Sequence, residues 1–259
     1  MELKNLVYEE TDKIAAITIN RPDKLNALNT EVLQELSNVA DYIRRSEVRV
    51  VILTGAGNKA FVAGADLEEV SSRKPLELWH FLRLGQKVIA EVEQLGKPVI
   101  AAVNGYALGG GFELALACTL RLAGENASFA FPEVGLGLMA GFGGTQRLPK
   151  VIGKSLALEY LLTGSSIKAE EAYRIGLVNQ VLPVDQLLGK AREVASKIAA
   201  KAPAAVQMTM QAVQGGFELG VERGEILEAA LASVCAATED SREGLAAWKE
   251  RRQPVFTGR

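Results

Sequence analysis

The feature that most constrains this chain is a short apolar stretch, followed by a glycine-rich turn and then a run of helix-forming residues. The three parts are residues 98–103, the glycines Gly109, Gly110 and Gly111, and residues 112–118. A strand, a turn and a helix start in this order leave backbone N–H groups unpaired at the helix N-terminus, where they point into the turn. Glycine lets a ligand approach the main chain closely. The stretch therefore predicts a backbone site for an anionic group.

The same order of elements occurs earlier in the chain. Residues 48–54 read as a buried strand, residues 55–64 as a loop with three glycines, and residues 65–69 as a helix start. Two such units packed side by side in one sheet place their turns at the same edge, the carboxyl ends of the strands. The sequence thus predicts an α/β fold in which N–H groups from two turns converge on one atom.

Two glutamates accompany the second turn. Glu113 falls in the first turn of the predicted helix with apolar neighbours, and Glu133 follows Pro132. Convergent N–H donors stabilise an oxyanion, and a pair of carboxylates can divide the roles of acid and base. The combination predicts addition of water to a double bond conjugated to a carbonyl. Explanations without a catalytic role also remain open for these residues: the glycines can serve packing alone, Glu113 can be a capping residue, and Glu133 can simply start a helix.

The bulk properties exclude several classes of function. The chain has 259 residues, 48% hydrophobic and 23% charged, with a formal net charge of −2, so neither nucleic acid nor a membrane surface is the expected partner. No apolar run reaches about 18 residues, and the first residues do not resemble a signal peptide. A cytoplasmic protein is expected, in which Cys118 and Cys235 are buried thiols rather than a disulfide.

Cofactor sites are not expected either. The single histidine, His80, disfavours a histidine-based triad or a multi-histidine metal site and is expected at the surface or in packing. The glycine spacing also fails the dinucleotide-binding pattern, because Ala107 and Leu114 stand where glycines are needed.

The remaining periodicity predicts a two-part chain. Residues 7–10 and 14–19 read as strands, and a helix follows over 30–45 with Thr30 as its N-cap. We expect a core over residues 1–195 and a helical region over 196–259. The apolar residues of that region are difficult to bury against one compact domain, which favours an oligomer.

Several motifs together resemble the enoyl-CoA hydratase (crotonase) family from end to end. They are Asn20-Arg21-Pro22 with Leu25-Asn26-Ala27-Leu28, residues 60–67 (AFVAGADL), residues 104–113, Pro132-Glu133, and residues 141–148 (GFGGTQRL). The resemblance implies a crotonase-like spiral of repeated ββα units with a C-terminal helical trimerisation region. It further implies an acyl-CoA thioester substrate, homotrimers or homohexamers (dimers of trimers), and no metal or cofactor beyond the coenzyme A of the substrate.

The resemblance also assigns residues. It implies an oxyanion hole from the N–H groups of Ala65 and Gly110, with Glu113 and Glu133 as the catalytic pair. The residues expected to contact the substrate or its coenzyme A are Lys24, Leu25, Ala27, Leu28, Ala63, Asp66, Leu67, Gly109, Trp248 and Arg251.

Two of these contacts are chosen as local cations for the phosphates, namely Lys24 and Arg251. Trp248 lies three residues before Arg251, so both are expected on one side of a helix, where an indole and a guanidinium suit an adenine ring beside a phosphate. An equal alternative makes Trp248 an interface anchor and Arg251 a solvated charge.

The implied reaction is reversible syn addition of water to a 2-enoyl-CoA, giving a 3-hydroxyacyl-CoA, as in fatty acid β-oxidation. An enoyl-CoA isomerase or another reaction of the family, and a non-catalytic acyl-CoA-binding protein, remain the alternatives. Thr119, Phe131 and the pair Met139-Ala140 depart from the common pattern and are expected to flank the acyl pocket or its support. The acyl group can therefore be linear, branched or alicyclic.

Overall fold

The computed structural model describes residues 3–259. The chain begins with an antiparallel hairpin of β1 (Leu6–Thr11) and β2 (Ile14–Ile19), followed by α1 (Thr30–Arg45). The predicted cap is wrong by one residue. Asn29 is the N-cap, because its backbone is extended and its side chain accepts from the N–H of Val32 at 2.9 Å, which leaves Thr30 as the first helical residue.

Three strand–strand units follow, and each places its first strand in one sheet and its second strand in another. The pairs of strands are β3 (Val50–Gly55) with β4 (Ala60–Val62), β5 (Val99–Val103) with β6 (Tyr106–Leu108), and β7 (Leu120–Gly124) with β8 (Ser128–Ala130). The helices after the first two pairs are α2 (Leu67–Ser72), α3 (Pro75–Glu93) and α4 (Gly110–Ala117). The repeated ββα architecture is thereby confirmed.

The C-terminal half of the chain is mainly helical. Its elements are α5 (Gly144–Ile152), α6 (Lys154–Thr163), β9 (Ile167–Lys168), α7 (Ala169–Arg174), β10 (Gln180–Leu182), α8 (Val184–Ala199), α9 (Pro203–Leu219), α10 (Val221–Ala236) and α11 (Glu239–Glu250). Within residues 3–259 the larger sheet has the order β1-β2-β3-β5-β7-β10 and the smaller one β4-β6-β8-β9. From β2 to β10 the larger sheet is parallel, so its strands end at one edge.

The larger sheet is buried on both faces. Side chains alternate along each strand, so Val51 and Leu53 of β3 enter the main core while Val50 and Ile52 enter a second one. Helix α8 covers this second face with Leu187, Ala191 and Ala195. Because parallel strands covered on both faces read as continuous apolar runs, β3 and β5 are visible in the sequence.

The last helices differ from the core in how far their side chains are buried. Among the described residues, α9 and α10 contain no buried side chain, and the two helices pack mainly on each other. The division at residue 195 stays a prediction. Both cysteines are free thiols; Cys118 is buried as expected, whereas Cys235 is half-buried. No helix within residues 3–259 has the length and apolar character required to cross a bilayer.

Candidate active site

The two predicted turns meet at the carboxyl edge of the strands. Gly110 is the first residue of α4, so its N–H has no partner within the helix. A Cβ placed on Gly110 would lie 3.5 Å from the amide nitrogen of Ala65, in the loop between β4 and α2. Neither N–H donates to a backbone acceptor within the described chain. The structure therefore brings together the two donors that the sequence assigned to an oxyanion hole.

The loop carrying Ala65 is fixed by the segment that follows β2. The N–H of Leu28 donates to Gly64 at 2.8 Å, and the N–H of Asp66 donates back to the Leu28 carbonyl at 2.8 Å. Leu25 and Asn26 both have left-handed backbones, with φ of 50° and 61°. The buried Asn26 side chain holds this conformation by donating to the carbonyls of Ala56 and Ala60 at 3.0 and 2.8 Å.

Glu113 is buried and anchored at one oxygen. Its side chain is 1% exposed, and Oε1 accepts from the N–H groups of Phe142 and Gly144 at 2.8 and 2.6 Å. Burial raises the pKa of Glu113 to about 7, and the nearby Glu133 adds to this, while the two amides oppose it. A carboxyl group with this pKa can exchange protons near neutral pH.

Glu133 faces the same space, but its carboxylate is less firmly held than that of Glu113. It lies in a 3-10 helix (Pro132–Leu136), so it does sit at a helix start, yet it also lines the cavity. Its Oε2 is buried without a hydrogen-bond partner among the described residues, and burial raises its pKa. A Cβ on Gly109 would lie 2.4 Å from Oε1, and Gly109 has a φ of 45°, so only glycine fits there.

These groups line a cavity of about 580 Å³. Glu113 and Glu133 are its titratable residues among those that the structure describes, and the walls are otherwise backbone and apolar side chains. The lining residues are Ala63, Gly64, Ala65, Leu67, Val70, Leu78, Leu82, Leu108, Gly109, Gly110, Glu113, Pro132, Glu133, Leu136, Gly137, Leu138, Met139, Gly141 and Phe142. Such a space suits an apolar substrate whose one polar centre meets the N–H donors.

Other predicted contacts lie outside the lining of this cavity. Lys24 is paired with Glu68 at 2.9 Å, and Asp66 binds Arg21 at 3.1 Å while capping α2. The guanidinium of Arg21 also donates to the carbonyl of Ala27 at 2.7 Å. The structure places Lys24 beside the loop of Ala65, but as part of an ion pair rather than as a free cation.

The expected geometry of Trp248 and Arg251 is wrong. Helix α11 ends at Glu250, and Arg251 follows with a left-handed backbone of φ 56°, so helical spacing does not place its side chain beside that of Trp248. Both side chains are exposed, Trp248 at 78%. Their contact with coenzyme A stays a prediction.

Four further positions depart from expectation or confirm it. Thr119 is not part of the cavity lining; its hydroxyl accepts from the N–H of Val99 at 3.0 Å at the start of two strands. Phe131 supports the site by stacking on Phe112 at 4.7 Å, and Met139 lines the cavity itself. His80 lies at the surface against Trp79, as predicted.

Sequence reasoning missed the residues that hold Glu113. Phe142 and Gly144 belong to the motif 141–148, which carried the resemblance but received no role. The available signal was a glycine pair before a helix, which marks a second set of unpaired N–H groups. Among the described residues no cluster of three or more His, Cys, Asp or Glu is arranged to hold a metal.

Comparison with known proteins agrees with this geometry. Residues 9–259 match the family Enoyl-CoA hydratase/isomerase. The chain is 47% identical to the Short-chain-enoyl-CoA hydratase of Clostridium acetobutylicum, covering 98% of this chain and 97% of that protein. It is 43% identical to the Crotonyl-CoA hydratase of Syntrophomonas wolfei, covering 99% of each.

A solved structure agrees as well. The crystal structure of an enoyl-CoA hydratase from Bacillus anthracis matches with a TM-score of 0.97 at 42% identity, over 99% of this chain and 100% of that one. The chain belongs to the enoyl-CoA hydratase/isomerase family.

Proposed function

We propose that this chain is a hydro-lyase that adds water reversibly to a 2-enoyl-CoA and gives a 3-hydroxyacyl-CoA. One observation carries the proposal: Glu113 and Glu133 line the same apolar cavity as the two unpaired N–H donors of Ala65 and Gly110. The family and the names of the relatives agree with this reaction.

The thioester carbonyl oxygen is expected to bind at the Ala65 and Gly110 N–H groups. Attack on the β-carbon moves charge onto that oxygen as an enolate forms. Fixed donors stabilise the enolate more than the substrate, and one such donor contributes about 2.7–4 kcal/mol to the transition state. Gly110 also begins α4, whose positive N-terminal end favours the developing charge.

The two carboxyl groups divide the proton transfers. Glu113, whose Oε1 is held in place by two amide donors, takes a proton from water as the water oxygen bonds to the β-carbon. Glu133, whose buried Oε2 has no donor among the described residues and whose pKa is raised by burial, delivers its proton to the α-carbon. Proton exchange between the pair and solvent then restores the starting state. We propose that no metal takes part, so a chelator should leave the rate unchanged.

We infer that the acyl group of the substrate is short. The space is about 580 Å³, and it must hold the thioester, the water and the acyl chain between Leu78, Leu82 and Met139. The two relatives named above carry names for short-chain and crotonyl substrates, which supports the same class here.

The test is to mix the purified protein with crotonyl-CoA and with longer 2-enoyl-CoAs and to follow the loss of the conjugated thioester absorbance. We expect hydration that is fastest for the short substrates. Conversion of 3-enoyl-CoAs without hydration would instead establish an isomerase, and binding without turnover would establish an acyl-CoA-binding protein. Glu113→Gln, assayed in parallel, excludes a contaminating activity.

We also propose a homotrimer, or a hexamer built of two trimers. Exposed apolar side chains are concentrated on α9 and α10, where Val213, Phe217, Val221 and Ile226 are each at least 66% exposed. Burying this surface against a second copy removes it from water. Light scattering should give about 83 kDa or 166 kDa, which is three or six times 27.7 kDa, and a 27.7 kDa species at micromolar concentration would refute the proposal.

A further inference from the structure

The turn that holds Glu113 is itself held by an ion pair that does not line the cavity. Its residues Phe142 and Gly144 donate to Glu113, while Gly143 between them has a left-handed backbone with a φ of 110°. A left-handed residue within such a turn makes successive N–H groups point to one side, and together they form a concave anion site. Glycine adopts this conformation without steric strain but also leaves it easily, so a neighbouring group is needed to fix the turn against Glu113.

Arg147 supplies that support. Its Nη1 donates to the carbonyl of Phe142 at 3.2 Å, and a Cβ placed on Gly143 would lie 2.2 Å from the same nitrogen. The guanidinium therefore lies directly against the turn, on the glycine that reverses its direction. It touches the backbone of the turn and not the cavity.

Glu93 fixes the guanidinium from the other side. Its carboxylate, the last residue of α3, accepts from Arg147 Nε at 3.1 Å and from Nη2 at 2.7 Å. The two side chains are 16% and 34% exposed, so this is a partly shielded, forked ion pair. It connects the end of α3 to the start of α5.

We propose that Arg147, fixed by Glu93, is a positioning residue for Glu113: its guanidinium holds the turn of residues 142–144 in the conformation whose two N–H groups bind the catalytic carboxylate. The inference rests on the proposed function, since it assigns Arg147 a part in activating the water. Neither the sequence motif nor the cavity lining assigns this role.

The charges around Glu113 predict how its titration depends on this pair. Glu133 faces it from the 3-10 helix and raises its pKa, Arg147 faces it from α5 and lowers it, and Glu93 from α3 offsets Arg147. Removing Arg147 should therefore raise the pKa of Glu113. Glu93→Gln removes the compensating charge, while its amide oxygen can still accept from Arg147 and keep the guanidinium in place, so the pKa of Glu113 should fall.

The test is the pH profile of kcat for crotonyl-CoA hydration in Arg147→Met and Glu93→Gln. Since Glu113 must be ionised to act as a base, we expect the acidic limb to move to higher pH in Arg147→Met and to lower pH in Glu93→Gln. A misplaced base costs up to about 10²-fold in rate, so kcat in Arg147→Met should fall by about tenfold or more with little change in KM. Arg147→Lys should keep the position of the limb and recover part of kcat.

Arg49→Met is the matched control. Its guanidinium also donates to two carbonyls, those of Ala199 and Phe256, but it lies just before β3, at the opposite edge of the sheet. A general loss of folded enzyme would lower the rate equally at every pH in this variant and leave the limb unmoved. The same behaviour in Arg147→Met, or a kcat within twofold of the unaltered chain, would overturn the proposal.

Two further measurements keep the result decisive. If Arg147→Met does not fold, Glu93→Gln decides alone: a limb at lower pH supports the proposal and an unmoved limb refutes it. Titration of Glu113 by NMR on isotope-labelled glutamate reports the same opposite shifts without turnover. Absence of hydration by the unaltered chain would reject the proposed function, whereas absence of the NMR shifts would reject the role of Arg147.

Discussion

Helices α4 and α9 are both rich in apolar residues, yet every residue of α4 is buried and no described residue of α9 is. α4 packs on two strands of the smaller sheet and on α3 and α5, and it presents Gly110 and Glu113 to the cavity, whereas α9 packs mainly on α10 at the periphery. Apolar composition therefore does not distinguish a helix of the core from a helix at the surface of the chain. The difference predicts that substitutions in α4 act on catalysis and folding, and substitutions in α9 on assembly.

The largest effect is expected at the charged residue of the buried helix. Glu113→Gln removes the base, so kcat for hydration should fall by about 10²-fold or more. The variant can still accept the N–H groups of Phe142 and Gly144 at its amide oxygen, so the turn should persist. Steady-state kinetics measures the loss, and near-normal turnover would contradict the mechanism.

The same substitution should stabilise the fold at high pH. The pKa of Glu113 is about 7 in the folded chain and about 4.3 when unfolded. Folding then favours the protonated form, and stability is lost as pH rises between these values. Relative to the unaltered chain, Glu113→Gln should gain up to about 4 kcal/mol at pH 8 and little at pH 4. Urea denaturation at both values tests this, with the exposed Glu125→Gln as the control.

Replacing a glycine by alanine should have opposite effects on the stability of the fold in the two helices. A Cβ on Gly111 in α4 would lie 2.0 Å from the carbonyl oxygen of Val62, so Gly111→Ala should cost about 2 kcal/mol or more through overpacking. In α9, a Cβ on Gly216 finds its nearest atom at 3.4 Å, and alanine is favoured over glycine in a helix by about 1 kcal/mol. Denaturant unfolding of both variants compares their stabilities directly. Equal destabilisation would contradict the difference between the two helices.

A charge on the exposed face of α9 should affect assembly first. Phe217 is 68% exposed, so Phe217→Asp removes little packing within one chain but places a carboxylate in the proposed contact. We expect a shift toward the 27.7 kDa species in light scattering, with the helical circular dichroism retained. Phe217→Leu is the matched control and should stay assembled.

The smallest effect is expected at the C-terminus. Arg251 is exposed, and exposed ionic contacts contribute roughly 0.2–1 kcal/mol. Arg251→Ala should therefore raise KM for acyl-CoA by about two- to fivefold with kcat unchanged, the sign of lost uniform binding. The acyl group on a truncated pantetheine should show no such change. If binding of both thioesters weakens equally, Arg251 does not contact the nucleotide. Arg252→Ala is the neighbouring control, because the Arg252 side chain is paired with Glu243.

The sequence predicts those parts of the fold whose pattern is local and long. β3, β5 and α1 are found within two residues of their bounds because buried strands and amphipathic helices leave continuous signals. β4 and β6 have three residues each, too few for a period to show, so the second sheet is absent from the pattern and follows only from the family resemblance.

The residues of the site also fall into two groups, those that the local sequence marks and those that it does not. Gly110 and Glu113 are marked by the turn in which they lie, but the donors to Glu113 come from positions 29 and 31 residues further along the chain. Nothing in the local sequence joins Glu113 to Phe142, since that contact depends on how α5 docks against α4. The ion pair of Arg147 with Glu93 spans 54 residues and is hidden for the same reason.

The alternation of each unit between two sheets also sets an order of events during synthesis. β3, β5 and β7 pair in parallel across long stretches of intervening chain, and such non-local pairing is slow. A nascent chain that ends before Phe142 contains α4 but lacks both N–H groups that bind the Glu113 carboxylate. Its inner glutamate must stay hydrated until α5 has emerged from the ribosome, so the catalytic cavity closes only after the strands and the helix that frame it have been made.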